Sequence, residues 1–257
     1  HYTLITGATS GIGLEIARLL AREHKNLIVT GRNEQKLGGV TDELRRIGKG
    51  DVRQYTADLA DINQAKMLYE DTKRDELSVS TLINNAGVGV YGNFLETDLQ
   101  DELEMIQTNV SSVVVLTKLF ARDMVAEGGG NIMNVASLLS FLPFPYYSVY
   151  SATKSFILAF SETSAAEMAE KNVHVTTLCP GPVDTGFNTT DMLKTNAYKA
   201  NKPLPAQQVA KEAIKLLQKG KGKKIVGFNN WFISNLPRIT PDNLMMSIKK
   251  HLASVGK

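Results

Sequence analysis

Residues 6–13 read Thr6-Gly7-Ala8-Thr9-Ser10-Gly11-Ile12-Gly13 and join a strand-like run, residues 2–6, to a helical pattern. The helical pattern is an apolar face at i, i+4, i+7 and i+8, formed by Ile12, Ile16, Leu19 and Leu20. Glycines in such a turn let backbone N–H groups approach a pyrophosphate, and the N-terminus of the helix adds partial positive charge. The turn therefore predicts a dinucleotide site. A tight strand-to-helix connection is the plain alternative.

The spacing of this turn is Gly-x-x-x-Gly-x-Gly, which departs from the Gly-x-Gly-x-x-Gly of the standard dinucleotide fingerprint. No Gly-Lys-Ser/Thr follows it, so the turn is not a P-loop.

Short β-branched runs alternate with longer amphipathic segments. The strand-like runs are residues 2–6, 27–30, 52–56, 81–84, 131–135, 173–178 and 224–228. Some, such as Leu27-Ile28-Val29, are continuously apolar, as strands buried on both faces are. These units predict an α/β fold, a Rossmann-type doubly wound seven-stranded parallel sheet with helices on both faces. A TIM barrel is the competing architecture, but it needs eight units and does not explain the glycine turn.

No linker rich in Ser, Gly or Pro divides the chain, so residues 1–257 are predicted to form a single domain. We expect a helix over residues 148–170, and another that begins with a capping box at Thr97-Asp98-Leu99-Gln100. A further helix should open at Pro205, because proline suits the first turn.

The composition excludes several classes of protein. A hydrophobic share of 43% and a charged share of 21% are globular values, which exclude a disordered, collagen-like or coiled-coil chain. A net charge of +3 gives no reason to expect a nucleic-acid partner. No apolar run approaches the roughly 18 residues of a spanning helix, so no integral membrane segment is expected. The histidines stand singly, so no metal site is expected.

The single cysteine, Cys179, excludes an internal disulfide and fits a reducing compartment, so we expect a cytoplasmic protein. The sequence opens at His1 in a strand-like run without Met. We expect native residues before it, which leaves any targeting signal unread.

Thr30-Gly31-Arg32-Asn33 stands at the end of the second predicted strand, where an NAD site carries Asp or Glu for the ribose 2′-hydroxyl. Arg32 can instead bind a 2′-phosphate through its planar fork of donors. A solvated arginine at a strand end is the alternative. The missing acid and the present base predict NADP(H) as the cofactor.

Tyr150-Ser151-Ala152-Thr153-Lys154 places a phenol and an ammonium on one helical face. An unperturbed tyrosine has a pKa of ~10 and is a poor base at neutral pH, whereas an adjacent cation lowers that pKa. Ser137 is predicted at the end of the fifth strand, the edge where open α/β sheets bind ligands. By themselves these signals are weak, because Tyr-x-x-x-Lys occurs by chance in many helices and a serine often simply ends a strand.

Taken together, the glycine turn, Asn84-Asn85-Ala86-Gly87, Ser137, Tyr150 with Lys154, and Pro180-Gly181 occur in one order and spacing. That pattern resembles the short-chain dehydrogenase/reductase family, single-domain type, from residue 2 to roughly residue 230. The catalytic residues that the resemblance implies are Asn109, Ser137, Tyr150 and Lys154. The cofactor contacts that it implies are Gly7, Thr9, Ser10, Gly11, Ile12, Gly13, Arg32, Asp58, Leu59, Asn85, Ala86, Gly87, Tyr150, Lys154, Pro180, Gly181, Val183 and Thr185.

The resemblance also implies roles for these residues. Gly7, Gly11 and Gly13 would cradle the pyrophosphate, Asp58 would contact the adenine ring, and Asn84 would steady the sheet. The segment 180–185 would seat the nicotinamide carboxamide.

The implied reaction is hydride transfer between nicotinamide C4 and a carbonyl or carbinol carbon. Tyr150 would give or take the proton, and Lys154 would lower the tyrosine pKa and bind the nicotinamide ribose. Ser137 would donate to the oxygen where charge develops. Asn109 would hold a water that links Lys154 to solvent.

Two other functions are weighed against this oxidoreductase. A non-catalytic dinucleotide-sensing protein on the same fold usually lacks the tyrosine or the lysine. An isomerase or dehydratase that uses transient hydride transfer is usually longer. The resemblance further implies a homodimer or homotetramer.

Residues 138–147 read Leu-Leu-Ser-Phe-Leu-Pro-Phe-Pro-Tyr-Tyr and lie beside the expected reactive carbon, and residues 184–202 match the family's substrate lid. Both favour a small-molecule carbonyl or alcohol substrate that is hydrophobic, such as a ketone, an acyl chain or a steroid. Packing of the core or of an oligomer interface is the alternative reading.

The basic run 219–224 is expected to be a solvated turn. The C-terminal extension, residues 231–257, is expected to form an amphipathic helix. That helix would cover the substrate pocket, pack on another subunit or rest on a membrane surface.

Overall fold

A computed structural model of the protein describes residues 1–187, 190–238 and 240–254. Its main feature is a seven-stranded parallel sheet in the order β3-β2-β1-β4-β5-β6-β9. These strands are β1 Tyr2–Thr6, β2 Leu27–Gly31, β3 Val52–Thr56, β4 Val79–Asn84, β5 Gly130–Val135, β6 Val173–Cys179 and β9 Gly222–Ile225. A small separate pair joins β7 Val183–Asp184 to β8 Leu204–Pro205. The predicted doubly wound sheet is confirmed.

Helices follow the strands and cover both faces of the sheet. Their bounds are α1 Gly11–Arg22, α2 Glu34–Ile47, α3 Ile62–Arg74, α4 Leu99–Ile106, α5 Ser112–Ala126, α6 Ser148–Met168, α7 Thr190–Lys194, α8 Asn196–Ala200, α9 Ala206–Lys219, α10 Phe228–Asn235 and α11 Asp242–Ala253. A π-helical turn, Gln107–Ser111, joins α4 to α5. Within the described ranges, no helix has the length and apolar character needed to cross a bilayer.

The core is divided into two layers by the sheet. Alternate residues of a strand point to opposite faces, so Ile5 and Val29 pack with α1 and α9, whereas Leu4 and Ile28 pack with α3 and α5. Asn84 links the centre of the sheet, because its Nδ2 donates to Asn134 Oδ1 on β5 at 2.9 Å and to Thr117 Oγ1 at 3.1 Å. The expectation that Asn84 steadies the sheet agrees with these bonds.

Several predicted boundaries were wrong. The last strand ends at Ile225, not at Phe228, because Gly227 has φ +95° and Phe228 begins α10. Asp98, not Thr97, caps α4, since its carboxylate accepts from Gln100 N at 2.7 Å. Pro205 lies in β8 and is the N-cap of α9, so it precedes the first turn.

The C-terminal extension is also not one amphipathic helix. It contains most of α10, a 3₁₀ turn at Leu236–Arg238, and α11, because Pro237 and Pro241 interrupt the helical pattern. Residues 239 and 255–257 of this predicted segment lie outside the described residues, as do residues 188–189 of the predicted lid.

Candidate active site

A cavity of about 710 Å³ opens at the carboxyl ends of the central strands, where open parallel sheets bind their ligands. Most of the predicted site residues line it. They are Gly7, Thr9, Ser10, Gly11, Ile12, Arg32, Asp58, Leu59, Asn85, Ala86, Gly87, Ser137, Tyr150, Lys154, Pro180, Gly181, Val183 and Thr185. Gly13 and Asn109 are not part of the cavity wall.

The glycine turn is fixed by close backbone contact with the loop after β4. Gly7 has φ +64°, and a Cβ at this position would lie 2.8 Å from Ala86 Cα. The Nδ2 of Asn85 donates to Thr6 O at 2.9 Å and to Gly7 O at 3.1 Å. Gly13 supports the turn from behind, because a Cβ there would meet the Asn85 amide and the Gly7 carbonyl. Gly13 therefore shapes the turn without facing the cavity.

This turn fits the pyrophosphate of a dinucleotide. Ser10, the N-cap of α1, makes no side-chain hydrogen bond to the first turn of the helix, so that end offers backbone donors to an anion. The backbone of Gly7, Ser10 and Gly11 faces the cavity, and a Cβ at Gly7 would clash with Ala86. These features are those expected for phosphate groups that approach the backbone closely.

The wall at the end of β2 is basic. Arg32, Asn33 and Lys36 line it together, and Asn33 caps α2 by accepting from Lys36 N at 2.8 Å. In the described part of the chain, neither Arg32 nor Lys36 has a salt-bridge partner. Sequence reasoning missed Lys36. Lys36 could have been found from Asn33, a residue type that favours the N-cap. A helix that starts after Asn33 places Lys36 in its first turn, near Arg32 at the end of β2.

Three polar side chains meet at the opposite end of the cavity. Tyr150 and Lys154 lie one turn apart on α6, and Lys154 Nζ is 5.9 Å from the centre of the Tyr150 ring. The same Nζ donates to Val135 O at 2.9 Å. Ser137 lies two residues after the end of β5, and its hydroxyl lies against the Tyr150 phenol. Strand β5 and helix α6 therefore bring these groups into one cleft above the glycine turn.

Burial shifts both titratable groups toward their neutral forms. It raises the pKa of Tyr150 to about 12, and the hydrogen bond with Ser137 offsets part of that rise. It lowers the pKa of Lys154 to about 8. The rise at Tyr150 comes from desolvation, and the expectation that Lys154 lowers the tyrosine pKa stays a prediction. The phenol is therefore protonated at neutral pH, the form that a proton donor needs.

Asn109 lies behind the cavity in the π-helical turn, a feature frequent at functional sites. Its Oδ1 accepts from Val88 N at 2.9 Å, and its Nδ2 donates to Val88 O at 2.9 Å and to Thr153 Oγ1 at 3.1 Å. A Cβ on Gly87 would lie 3.2 Å from Asn109 Oδ1 and 3.3 Å from Lys154 Nζ, so both groups flank Gly87. The side chain thus positions the loop after β4. Its role in holding a water stays a prediction.

The remaining wall is aromatic. The Tyr147 ring lies 6.3 Å from the Tyr150 ring, and the Phe187 ring lies 5.8 Å from it on the other side. Leu139, Phe144 and Tyr147 of the predicted substrate segment face the cavity, whereas Leu138 and Leu142 pack in a separate buried cluster. Leu138 and Leu142 thus follow the core-packing reading, whereas the contact of Leu139, Phe144 and Tyr147 with a substrate stays a prediction.

The predicted lid contributes Phe187, Met192, Thr195, Ala197 and Tyr198 to the cavity wall. Its described part contains the short helices α7 and α8. Thr195 is buried between them and caps α8 by accepting from Tyr198 N at 3.3 Å.

Comparisons with known proteins agree with this architecture. A family model described as short chain dehydrogenase matches residues 1–196. Sulfoacetaldehyde reductase 2 of Chromohalobacter salexigens is 33% identical over 216 residues, which cover 80% of this chain and 84% of that protein. Dehydrogenase/reductase SDR family member 7B of Danio rerio is 33% identical over 190 residues, which cover 72% of this chain but only 62% of that protein.

Among solved structures, the bulky-bulky ketone specific alcohol dehydrogenase of Comamonas testosteroni superposes with a TM-score of 0.78 at 26% identity. The match covers 95% of this chain and 93% of that chain.

Proposed function

Because this chain belongs to the short-chain dehydrogenase/reductase family of oxidoreductases, we propose that it reduces a hydrophobic carbonyl compound with NADPH, or oxidises the corresponding alcohol with NADP. The observation that carries the proposal is the meeting of Ser137, Tyr150 and Lys154 in one cleft above the glycine turn. A family fold without these groups would support binding alone.

Each of the three side chains has a distinct role in this proposal. Tyr150 is the general acid in reduction, since burial keeps its phenol protonated, and it is the base in oxidation. Ser137 donates a hydrogen bond to the substrate oxygen as negative charge develops there. Lys154 places a positive charge beside the phenol and stabilises it when the proton leaves. The reduced nicotinamide, when bound, supplies the hydride that the carbonyl carbon receives.

The residues that would hold the cofactor run along the cavity from the basic wall to α6. The glycine turn would bind the pyrophosphate, and Asp58 and Leu59 would flank the adenine. Segment 180–185 would hold the nicotinamide end. Arg32 and Lys36 support the preference for NADP(H), because two cations without a salt-bridge partner among the described residues suit a 2′-phosphate at the end of β2.

The aromatic wall supports a hydrophobic substrate. Phe144, Tyr147, Phe187 and Met192 present rings and a thioether beside Tyr150, and Met side chains adapt to bulky apolar ligands. The solved alcohol dehydrogenase with 26% identity is described as specific for bulky-bulky ketones, which agrees with this substrate class. The single domain over residues 1–257, the cytoplasmic location and the homodimer or homotetramer stay predictions.

The test is an assay of purified protein with NADPH or NADH and a panel of ketones from acetone to acetophenone, followed by nicotinamide absorbance. We expect NADPH to be consumed fastest with the aromatic ketone. Tyr150→Phe should abolish turnover but still bind NADPH in a fluorescence titration, whereas Tyr69→Phe, on α3 away from the cavity, should behave as wild type.

Three outcomes would contradict the proposal. Near-normal turnover of Tyr150→Phe would remove Tyr150 from the mechanism. Binding of NADPH without consumption by the wild type would favour the dinucleotide sensor. Substrate conversion without net NADPH consumption would favour an isomerase or dehydratase.

A further inference from the structure

The C-terminal end of α11 is tied by hydrogen bonds to two parts of the molecule that are distant in sequence. Asn196, at the start of α8, donates from Nδ2 to His251 O at 3.0 Å and from its backbone N–H to Ser254 O at 3.1 Å. Tyr91, in the loop after β4, donates from its hydroxyl to Ala253 O at 2.8 Å. These carbonyls belong to the last turn of a helix, which has no partners for them within the helix itself.

The hydrogen bonds of Tyr91 and Asn196 to α11 are both connected to Tyr150 through Tyr147. The Tyr91 ring packs 4.9 Å from the Tyr147 ring, and the Tyr147 ring packs 6.3 Å from the Tyr150 ring. On the lid side, Thr195 is the neighbour of Asn196, and its hydroxyl lies against the Tyr147 phenol. Tyr147 is therefore held from two directions, and each direction leads back to the same helix end.

Helix α11 is itself anchored firmly enough to act as a support. Met245 is buried with Leu138 and Leu142, which follow Ser137 in the chain, and Ala253 is fully buried. The helix thus contacts the segment after Ser137 at one end and α8 and Tyr91 at the other. Because α11 is held at both ends, it can fix the positions of α8 and Tyr91 relative to the segment after Ser137.

We propose that Tyr91 and Asn196 are positioning residues for substrate binding, and that they act through the C-terminal end of α11 to hold Tyr147 and α8 against Tyr150. This inference rests on the proposed carbonyl reduction. Loss of either tie loosens α8 and the Tyr147 wall, so a bulky ketone binds less well. The reacting groups Ser137, Tyr150 and Lys154 keep their places, because neither Tyr91 nor Asn196 contacts them.

The experiment uses Tyr91→Phe, Asn196→Ala and the double variant of the full chain. Tyr91→Phe keeps the ring and removes only the hydroxyl. The matched control is Tyr69→Phe, whose hydroxyl donates to Asp123 at 3.1 Å on α5, away from the cavity. Kinetics with NADPH and acetophenone give KM and kcat, and hydrogen exchange of residues 190–200 reports on α8 without any turnover.

We expect KM for acetophenone to rise about 2- to 10-fold in each single variant, the usual effect of one hydrogen bond, with kcat changed less than about twofold. KM for acetone should change less, because acetone has no ring that could pack against the Tyr147 ring. The double variant should raise KM by less than the product of the two single effects, since both ties end on one support. Exchange over 190–200 should be faster in Tyr91→Phe and Asn196→Ala than in Tyr69→Phe.

Kinetics and exchange equal to those of Tyr69→Phe would overturn the inference. Faster exchange without any change in KM would also overturn it, because the ties would then be structural only. If the wild type consumes no NADPH with either ketone, the proposed function fails, and the exchange result alone decides whether α11 holds α8.

Discussion

The two halves of the cavity differ in the atoms that form their walls, which are backbone atoms in one half and side-chain atoms in the other. The half around the glycine turn is made of backbone, held by Asn85 and pressed against Ala86. The aromatic half, around Tyr147, Phe187 and Met192, is made of side chains that come from separate segments of the chain. The first half can recognise a fixed ligand, whereas the second can adapt to different ones.

Gly7 and Gly89 illustrate the difference between the two halves, because a Cβ on either residue would lie 2.8 Å from its nearest neighbour. A Cβ on Gly7 would lie 2.8 Å from Ala86 Cα, a backbone atom, at φ +64°. A Cβ on Gly89 would lie 2.8 Å from Phe187 Cζ, the far end of a half-exposed side chain. The first clash cannot be relieved without moving the turn, and the second is relieved by a rotation of the ring.

The largest effect is expected where the two halves meet. Ser137→Ala should lower kcat by about 10²–10³-fold, because it removes a donor to the developing oxyanion. The control is Ser140→Ala, the other half of the same capping box, which loses bonds to Lys154 O at 2.7 Å and to Ser137 N at 3.3 Å but removes no group from the cavity. Steady-state kinetics measure both variants. Equal losses in the two would mean that Ser137 acts only as the cap of its 3₁₀ turn.

Arg32→Ala tests the specificity of the glycine-turn half. Removing one charged hydrogen-bonding partner of a 2′-phosphate should raise KM for NADPH about 10- to 100-fold and leave KM for NADH unchanged. Arg22→Ala, an exposed arginine in the last turn of α1, is the matched control. If the variant loses affinity for both cofactors alike, the 2′-phosphate reading of the basic wall is wrong.

Alanine substitutions at Gly7 and Gly89 compare the rigidity of the two halves of the cavity. Gly7→Ala should lower the free energy of unfolding by about 1–3 kcal/mol, through the backbone clash and the left-handed φ. Gly89→Ala should change it by about 0.5 kcal/mol or less, since Phe187 can turn away. Urea unfolding of both variants gives the difference. Similar losses would show that the aromatic half is as rigid as the glycine turn.

Reduction should also depend on pH, through the charge of Lys154. Lys154 has a pKa of about 8, so its charge is present below pH 8 and is lost as pH rises, while Tyr150 keeps its proton until about pH 12. We expect kcat/KM for the ketone to fall about tenfold per pH unit above pH 8. Lys154→Arg stays charged, so this fall should be absent from its profile. A variant that binds NADPH but keeps the fall would assign it to another group.

The same pKa has a consequence for stability with a definite sign. Unfolded Lys154 keeps its proton up to its ordinary pKa of 10.5, so between pH 8 and 10.5 the unfolded chain binds more protons at this site. The contribution of Lys154 to the free energy of unfolding therefore rises with pH in that window. Lys154→Met should remove the rise.

The glycine-turn half could be predicted from sequence because its demands are local. Gly7 and Gly11 are required by the positive φ of their own residues, and Arg32 follows the strand that places it. The aromatic half could not be predicted in the same way. Thr195, Tyr91 and Ala253 come together only through the packing of α8 and α11, and no local pattern encodes that contact.

The errors at the C-terminus have a similar origin. The apolar residues after Trp231 fit one amphipathic helix by period, but the prolines divide the segment, and Met245 is drawn into the cluster around Leu138 and Leu142. Lys36 was missed because its local sequence is that of an ordinary solvated helix start. Only the fold shows that it lies in the cavity wall beside Arg32.

The basic run 219–224 takes on a different meaning once β9 is located. Lys223 and Lys224 lie in this strand at the outer border of the sheet, where they pair with Glu162 and Glu212. An unpaired border of backbone donors and acceptors is a template onto which another chain can add. Ammonium groups along β9 discourage such strand addition, so this run protects the outer border of the sheet against aggregation.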